Sequence, residues 1–227
     1  MYIYKKLARC AGLLLIIGTV AGIFSVVPAI DGADYIVRAA TNENQVLIGA
    51  FSQLLMAVAY IGIPIGMYPI LSNHSKSLAL GSVASGIIAG VFIMIGVIIL
   101  LLLLILSHEF AKTGAPDTMY FQTLGELMRS GRDLVNHVAT TLAFVLAMLL
   151  INCIFYKTKL VPRWLSVWGL IGTTLSIMAS LFFMNRFISL DAAYMILNVP
   201  IALQEMVLAV WLIGKGFNPS VQVSVSN

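Results

Sequence analysis

Six stretches of about 20 residues, nearly free of charge, decide what this chain can fold into. They run roughly over Leu7–Val27, Gln45–Leu71, Leu78–Leu106, Leu134–Tyr156, Trp164–Met184 and Ala192–Gly214. Each is long enough to cross the hydrocarbon of a bilayer as a helix. In that medium a segment of this length must satisfy its backbone polar groups internally, which leaves the helix as its structure. The composition agrees, with 60% hydrophobic and 10% charged residues and a mean hydropathy of +1.01. A soluble domain needs about 25% charged residues to cover its surface. The expected fold is therefore all-α: one polytopic membrane domain over residues 1–227, built as a bundle of six transmembrane helices.

The first stretch follows the basic "YKKLAR" and precedes "VPA", which imitates a signal-peptide cleavage site. Its apolar core is longer than the roughly 7–15 residues of a signal peptide, so a retained anchor is expected. With six spans both termini share a face. That face carries Lys5, Lys6, Arg9, Lys76, Lys157, Lys159, Arg163 and Lys215 and no acidic residue, while the opposite face holds the other basic residues and every acid except Glu205. The basic excess predicts a cytoplasmic location for both termini, and Trp164 and Trp211 suit an aromatic belt at that face. Between the third and fourth spans lies an outer loop, Ser107 to Asp133. Within it Pro116 and Asp117 mark a helix start and Gly131 a helix end. Tyr120, Phe121, Leu124, Leu127 and Met128 fall at helical spacing, so a short interfacial helix is expected there.

Charge inside a span is costly and marks function or a firm partner. Glu205 stands alone in this respect. At 100° per residue, Asp191, Tyr194, Asn198, Glu205 and Ala209 share one side of the sixth helix, and Pro200 frees the carbonyl of Ile196 between them. Counting from the outer start of each span puts Tyr60, Thr19, Thr173 and Thr174 near the depth of Glu205, and no Lys or Arg. Glu205 is thus expected to be a neutral carboxyl hydrogen-bonded to Tyr60 or Thr173. These residues, with Tyr194 and Asn198, form the candidate ligand site.

A second constellation sits at the outer surface, where His108 and Glu109 end the third span and Asp133 and His137 begin the fourth. Two imidazoles with carboxylates would suit zinc. No HExxH-like motif accompanies them, and Asp133 is equally explained as a helix cap. Gly62 and Gly66, then Ser82, Gly86 and Gly90, then Gly172, Ser176 and Ser180 are small-residue stripes that let helices approach closely. The run Leu100–Leu104 lacks a polar face and is expected to touch lipid. Cys10 and Cys153 lie in apolar runs without ligand spacing.

"LARCAGLLLIIGTVAGIFS" at the start, "LVPRWLSVWGLIG" at 160–172 and "PIALQEMVLAVWLIGKGF" near the end together resemble the bacterial integral-membrane family catalogued as domain of unknown function 4386. The resemblance implies a compact bacterial membrane protein of about this length and carries no catalytic residues; a bacterial cytoplasmic membrane is the expected location. The leading functional expectation is binding or translocation of a small molecule or proton along the sixth helix, without enzymatic activity. The rivals are a metal-dependent hydrolase at the outer His/carboxylate cluster and a structural or partner-binding subunit in which Glu205 only joins helices. Nothing in the sequence calls for a cofactor or a nucleic-acid partner. The bilayer is the expected partner, with a small molecule or lipid as ligand.

Overall fold

A computed structural model describes residues 2–113 and 118–218. The first span is α1 (Tyr2–Phe24). A 3₁₀ turn at Pro28–Ile30 and a short α2 (Tyr35–Thr41) lead into α3 (Glu43–Leu71). A tight turn then gives α4 (Lys76–Thr113). The chain returns through α5 (Thr118–Leu134), a π-helical turn at Val135–Thr140 and α6 (Thr141–Thr158), and it ends with α7 (Arg163–Met184) and α8 (Ala192–Gly214). Among the described residues six helical stretches are long and apolar enough to cross a membrane, and each contains one of the six expected spans.

The spans form a closed ring. Each packs on the next in the order α1, α3, α4, α6, α7, α8, and α8 packs back on α1. The interior is filled rather than open: Leu15, Ile63, Met148 and Leu208 meet in one core from four of the helices. Tyr60 lies against this core with its ring stacked on Phe144, centroids 3.6 Å apart. Because lipid is as apolar as leucine, close packing and not hydrophobicity holds such helices together. Small residues permit it. Gly12 receives the carbonyl of Ala209, and Gly86 receives Pro64 and the carbonyl of Tyr60. Gly62 meets Leu14, whereas Gly66 faces open space.

The outer side departs from expectation. At about 1.5 Å per residue, the 38 residues of α4 run about 57 Å, well beyond a ~30 Å hydrocarbon core. Ser107 therefore begins no loop. Its hydroxyl, buried in the helix extension, donates to the carbonyl of Ile36 and accepts from the amide of Ala40 at 2.8 Å, which pins α2 to α4. From the far side α5 covers α2: the Tyr35 hydroxyl donates to the Gln122 carbonyl at 3.2 Å, and the Arg129 guanidinium lies 4.9 Å over the Tyr35 ring. Phe121 and Met128 pack inward against Tyr35, Ile36 and Leu103, while Tyr120 and Leu127 are exposed on the face an interfacial helix turns to headgroups.

Three further expectations are corrected. Gly131 does not end a helix but sits within α5, and Asp133 lies in its last turn instead of capping a new one. The run Leu100–Leu104 is largely interior: Leu100, Leu103 and Leu104 are buried and Leu102 alone is exposed as a large hydrophobic. The expected start at Pro116 and Asp117 lies outside the described residues.

Candidate functional site

The π turn organises the outer half of the candidate site. A π turn widens the helix and breaks the regular run of backbone bonds, so carbonyls there become available to outside donors. The carbonyl of His137 accepts from the Ser180 hydroxyl of α7 at 2.8 Å and from the Tyr194 hydroxyl of α8 at 3.1 Å. One turn deeper, the Ser176 hydroxyl donates to Asn198 Oδ1, and Asn198 Nδ2 donates to the Tyr194 carbonyl at 2.9 Å. Asp191 caps α8 by accepting from the amide of Ala193 at 2.9 Å. Tyr194 and Asn198 are thus joined to α7 and the π turn, as their place on the polar side of the helix suggested.

The stripe is interrupted at the next level. Ile201 turns inward, its backbone pressed against Gly172 at a helix crossing with no room for a side chain. Below the crossing, the buried Gln204 donates to the Leu165 carbonyl at 3.2 Å. The Asn152 side chain occupies the space over Gly169, one turn from Ser166. Three fully buried oxygens here, Asn152 Oδ1, Ser166 Oγ and Gln204 Oε1, have no hydrogen-bond partner among the described residues. Gln204 stands outside the expected stripe. Its signal was adjacency to Glu205 within one apolar span, which made it as costly to bury as Asn198.

Glu205 itself is half-buried. Among the described residues its carboxyl makes no hydrogen bond and no ion pair. Neither expected partner reaches it. The hydroxyl of the buried Thr173 donates to the Leu170 carbonyl at 2.9 Å, the back-bond that Thr and Ser favour in a helix. Tyr60 commits its ring to Phe144, and its hydroxyl lies within electrostatic reach of Glu205 and Tyr194 without bonding to the carboxyl. Of the five candidate ligand residues, Tyr194, Asn198, Tyr60 and Glu205 border the interior from α8 and α3, while Thr173 satisfies its own helix.

The four candidate metal ligands are dispersed. His108 Nε2 lies 3.7 Å from Glu43 Oε2, and Glu109 pairs with Lys112 at 2.8 Å. His137 stands edge-on to Tyr194, centroids 5.3 Å apart, and to Phe183. Asp133 lies within reach of the charges of Arg132 and Arg129. Among the described residues no group of three or more His, Cys, Asp or Glu is placed to share a metal ion.

Two of the concavities on the described surface lie near the α7 and α8 helices, and Glu205 lines neither. One, of about 600 Å³, opens between the α6–α7 connection and the end of α8. The other, of about 310 Å³, is an apolar groove along the outside of α7.

No curated protein and no solved structure matches the chain. The family model described as "Domain of unknown function (DUF4386)" matches residues 10–216. With nearly the whole bundle covered, from α1 to the end of α8, this multi-pass membrane protein belongs to the DUF4386 family.

Proposed function

We propose that this protein binds or moves a small polar molecule or a proton along α8, with Glu205 as the exchanging group. The observation that carries this reading is the unengaged carboxyl of Glu205 in mid-span. A polar residue retained only to join membrane helices is expected to hold a partner across the interface, as Asn198 holds Ser176. Glu205 holds none among the described residues, so its cost is better explained by exchange with a ligand or proton. The three unpartnered oxygens on Asn152, Ser166 and Gln204 extend a polar lining toward the face of the termini, one that water or a polar solute would satisfy. The basic excess on that face supports a cytoplasmic location for both termini, and the membrane we propose is a bacterial cytoplasmic one.

A hydrophobic carbodiimide, which modifies protonated carboxyls in apolar surroundings, tests the reading in proteoliposomes. Labelling should fall on Glu205, decline as pH rises, and be lost in Glu205→Gln. Glu205→Gln should fold normally yet abolish pH-driven uptake or release of a trapped dye. Unchanged flux in a folded Glu205→Gln protein would refute the proposal.

A further inference from the structure

The larger concavity has a construction of its own. Helix α6 ends where Lys159 takes a left-handed backbone, φ 59°, and α8 ends in a second left-handed turn at Gly216, φ 71°. The two turns bring their segments together: the amide of Asn218 donates to the Leu160 carbonyl at 2.8 Å, and Phe217 packs on Phe155 with centroids 5.9 Å apart. Between them the pocket is lined by Lys159, Arg163 and Lys215, and among the described residues by no acidic one. Lys215 is carried over the Trp211 ring at 4.6 Å and Arg163 over Tyr156 at 5.6 Å. Aromatic rings of this kind sit at headgroup level.

We propose that this pocket holds the phosphate headgroup of an anionic phospholipid, with an acyl chain lying in the groove along α7. Three cations on one rim, one of them a guanidinium fork, match the geometry and charge of a phosphodiester. Basic pockets between membrane helices at the cytoplasmic face are suited to such headgroups. The groove makes the ligand a lipid instead of free phosphate. It is lined by Val167, Leu170, Ile171, Thr174 and Leu175, and Val167, Leu170 and Thr174 fall four, seven and eleven residues after Arg163, on the helical face of Arg163 itself. A headgroup bound at Arg163 therefore has a path for its tail one turn away.

Lys159 is the telling residue. A left-handed helix end is the usual place for glycine, because a Cβ is disfavoured there. Lysine at this position gives up backbone comfort and puts a cation on the pocket rim. Lys159→Gly therefore removes the charge without threatening the fold.

Native mass spectrometry of the full chain in mild detergent, titrated with phosphatidylglycerol or with phosphatidylcholine of the same acyl chains, tests the site. Phosphatidylglycerol should bind more tightly, and Lys159→Gly or Lys215→Gln should each weaken it by about fivefold, the worth of one cation at a membrane surface. Phosphatidylcholine binding should not change, and neither should binding to Lys76→Gln, a basic residue of the same face outside the pocket. A thermal melt of Lys159→Gly at or above the wild-type temperature confirms that the loss is not unfolding. Short-chain phosphatidylglycerol should bind less well than long-chain, and millimolar inorganic phosphate should leave the complex intact. Equal affinity for the two lipids, or undiminished binding in both pocket variants, overturns the proposal. Full displacement by inorganic phosphate overturns the lipid assignment and makes this a site for soluble phosphate.

Discussion

Replacing Gly172 with alanine tests the packing that positions the candidate site. A Cβ at this position would lie 2.9 Å from the backbone nitrogen and Cα of Ile201 and 3.1 Å from its Cβ. Carbon atoms rest comfortably at about 3.5–4.0 Å, so α7 and α8 would have to part by roughly 0.6–1 Å. Backbone cannot rotate out of the way as a side-chain tip can. Parting the helices strains the bonds that cross them, Ser176 to Asn198 and Gln204 to Leu165, the latter already 3.2 Å long. Overpacking costs about 1–3 kcal/mol, and each interhelical bond in a membrane adds about 0.6 kcal/mol. Against this, alanine is the better helix former by up to about 1 kcal/mol. The net expectation is a loss of about 1–3 kcal/mol. Gly66→Ala is the control, because nothing lies within 4 Å of its added methyl; it should be neutral or mildly stabilising. Denaturant unfolding in detergent can be followed by intrinsic fluorescence, since all three tryptophans, Trp164, Trp168 and Trp211, lie on α7 and α8. If Gly172→Ala is as stable as Gly66→Ala, the close crossing at Ile201 does not exist and the argument fails.

Ser180 and Tyr194 share one acceptor, so Ser180→Ala and Tyr194→Phe should each be mild while the double variant orphans the His137 carbonyl at about 1–3 kcal/mol; additive losses in a double-mutant cycle would contradict a shared acceptor. Tyr35 lies outside the spans, and burial, the main cause, pushes its hydroxyl above the ordinary value of 10.0. The unfolded chain releases that proton first, so the contribution of Tyr35 is full below pH 10 and lost as pH rises further. Tyr35→Phe should flatten the alkaline loss of stability in pH-dependent melts, and an unchanged profile would count against it. For topology, a cysteine at Asn73 should resist a membrane-impermeant maleimide in intact cells while one at the exposed Met119 reacts; the reverse pattern would invert the assigned orientation.

The spans were legible because apolar length and charge punctuation are one-dimensional signals, and hydrocarbon thickness converts them directly into helices. Beyond the hydrocarbon that signal stops. The extension of α4 through Ser107–Thr113 reads as a polar loop until Ser107 is seen bonded to α2. Gly131 misled because glycine often ends a helix but is also tolerated within one. At the site, residue counting fixes depth but not direction around the axis. It placed Thr173 level with Glu205 but could not register that its hydroxyl turns back to Leu170. It placed His108 and His137 at neighbouring helix ends, yet one turns to Glu43 and the other to Tyr194 and Phe183. The π turn, which sets where His137 presents its carbonyl, has no sequence signature of its own.

The closed order of the helices bears on how the molecule is made. Synthesis is linear, yet the seat for the Ala209 carbonyl at Gly12 belongs to the first span and its occupant to the last. Throughout translation of the intervening helices that seat is open to lipid or to an insertion factor, and the bundle has two loose edges instead of none. Assembly therefore cannot be completed span by span. It waits for α8, and a ribosome that stalls before Ala192 leaves α1 with α3 alone and α7 with α6 alone, each with one flank exposed to lipid.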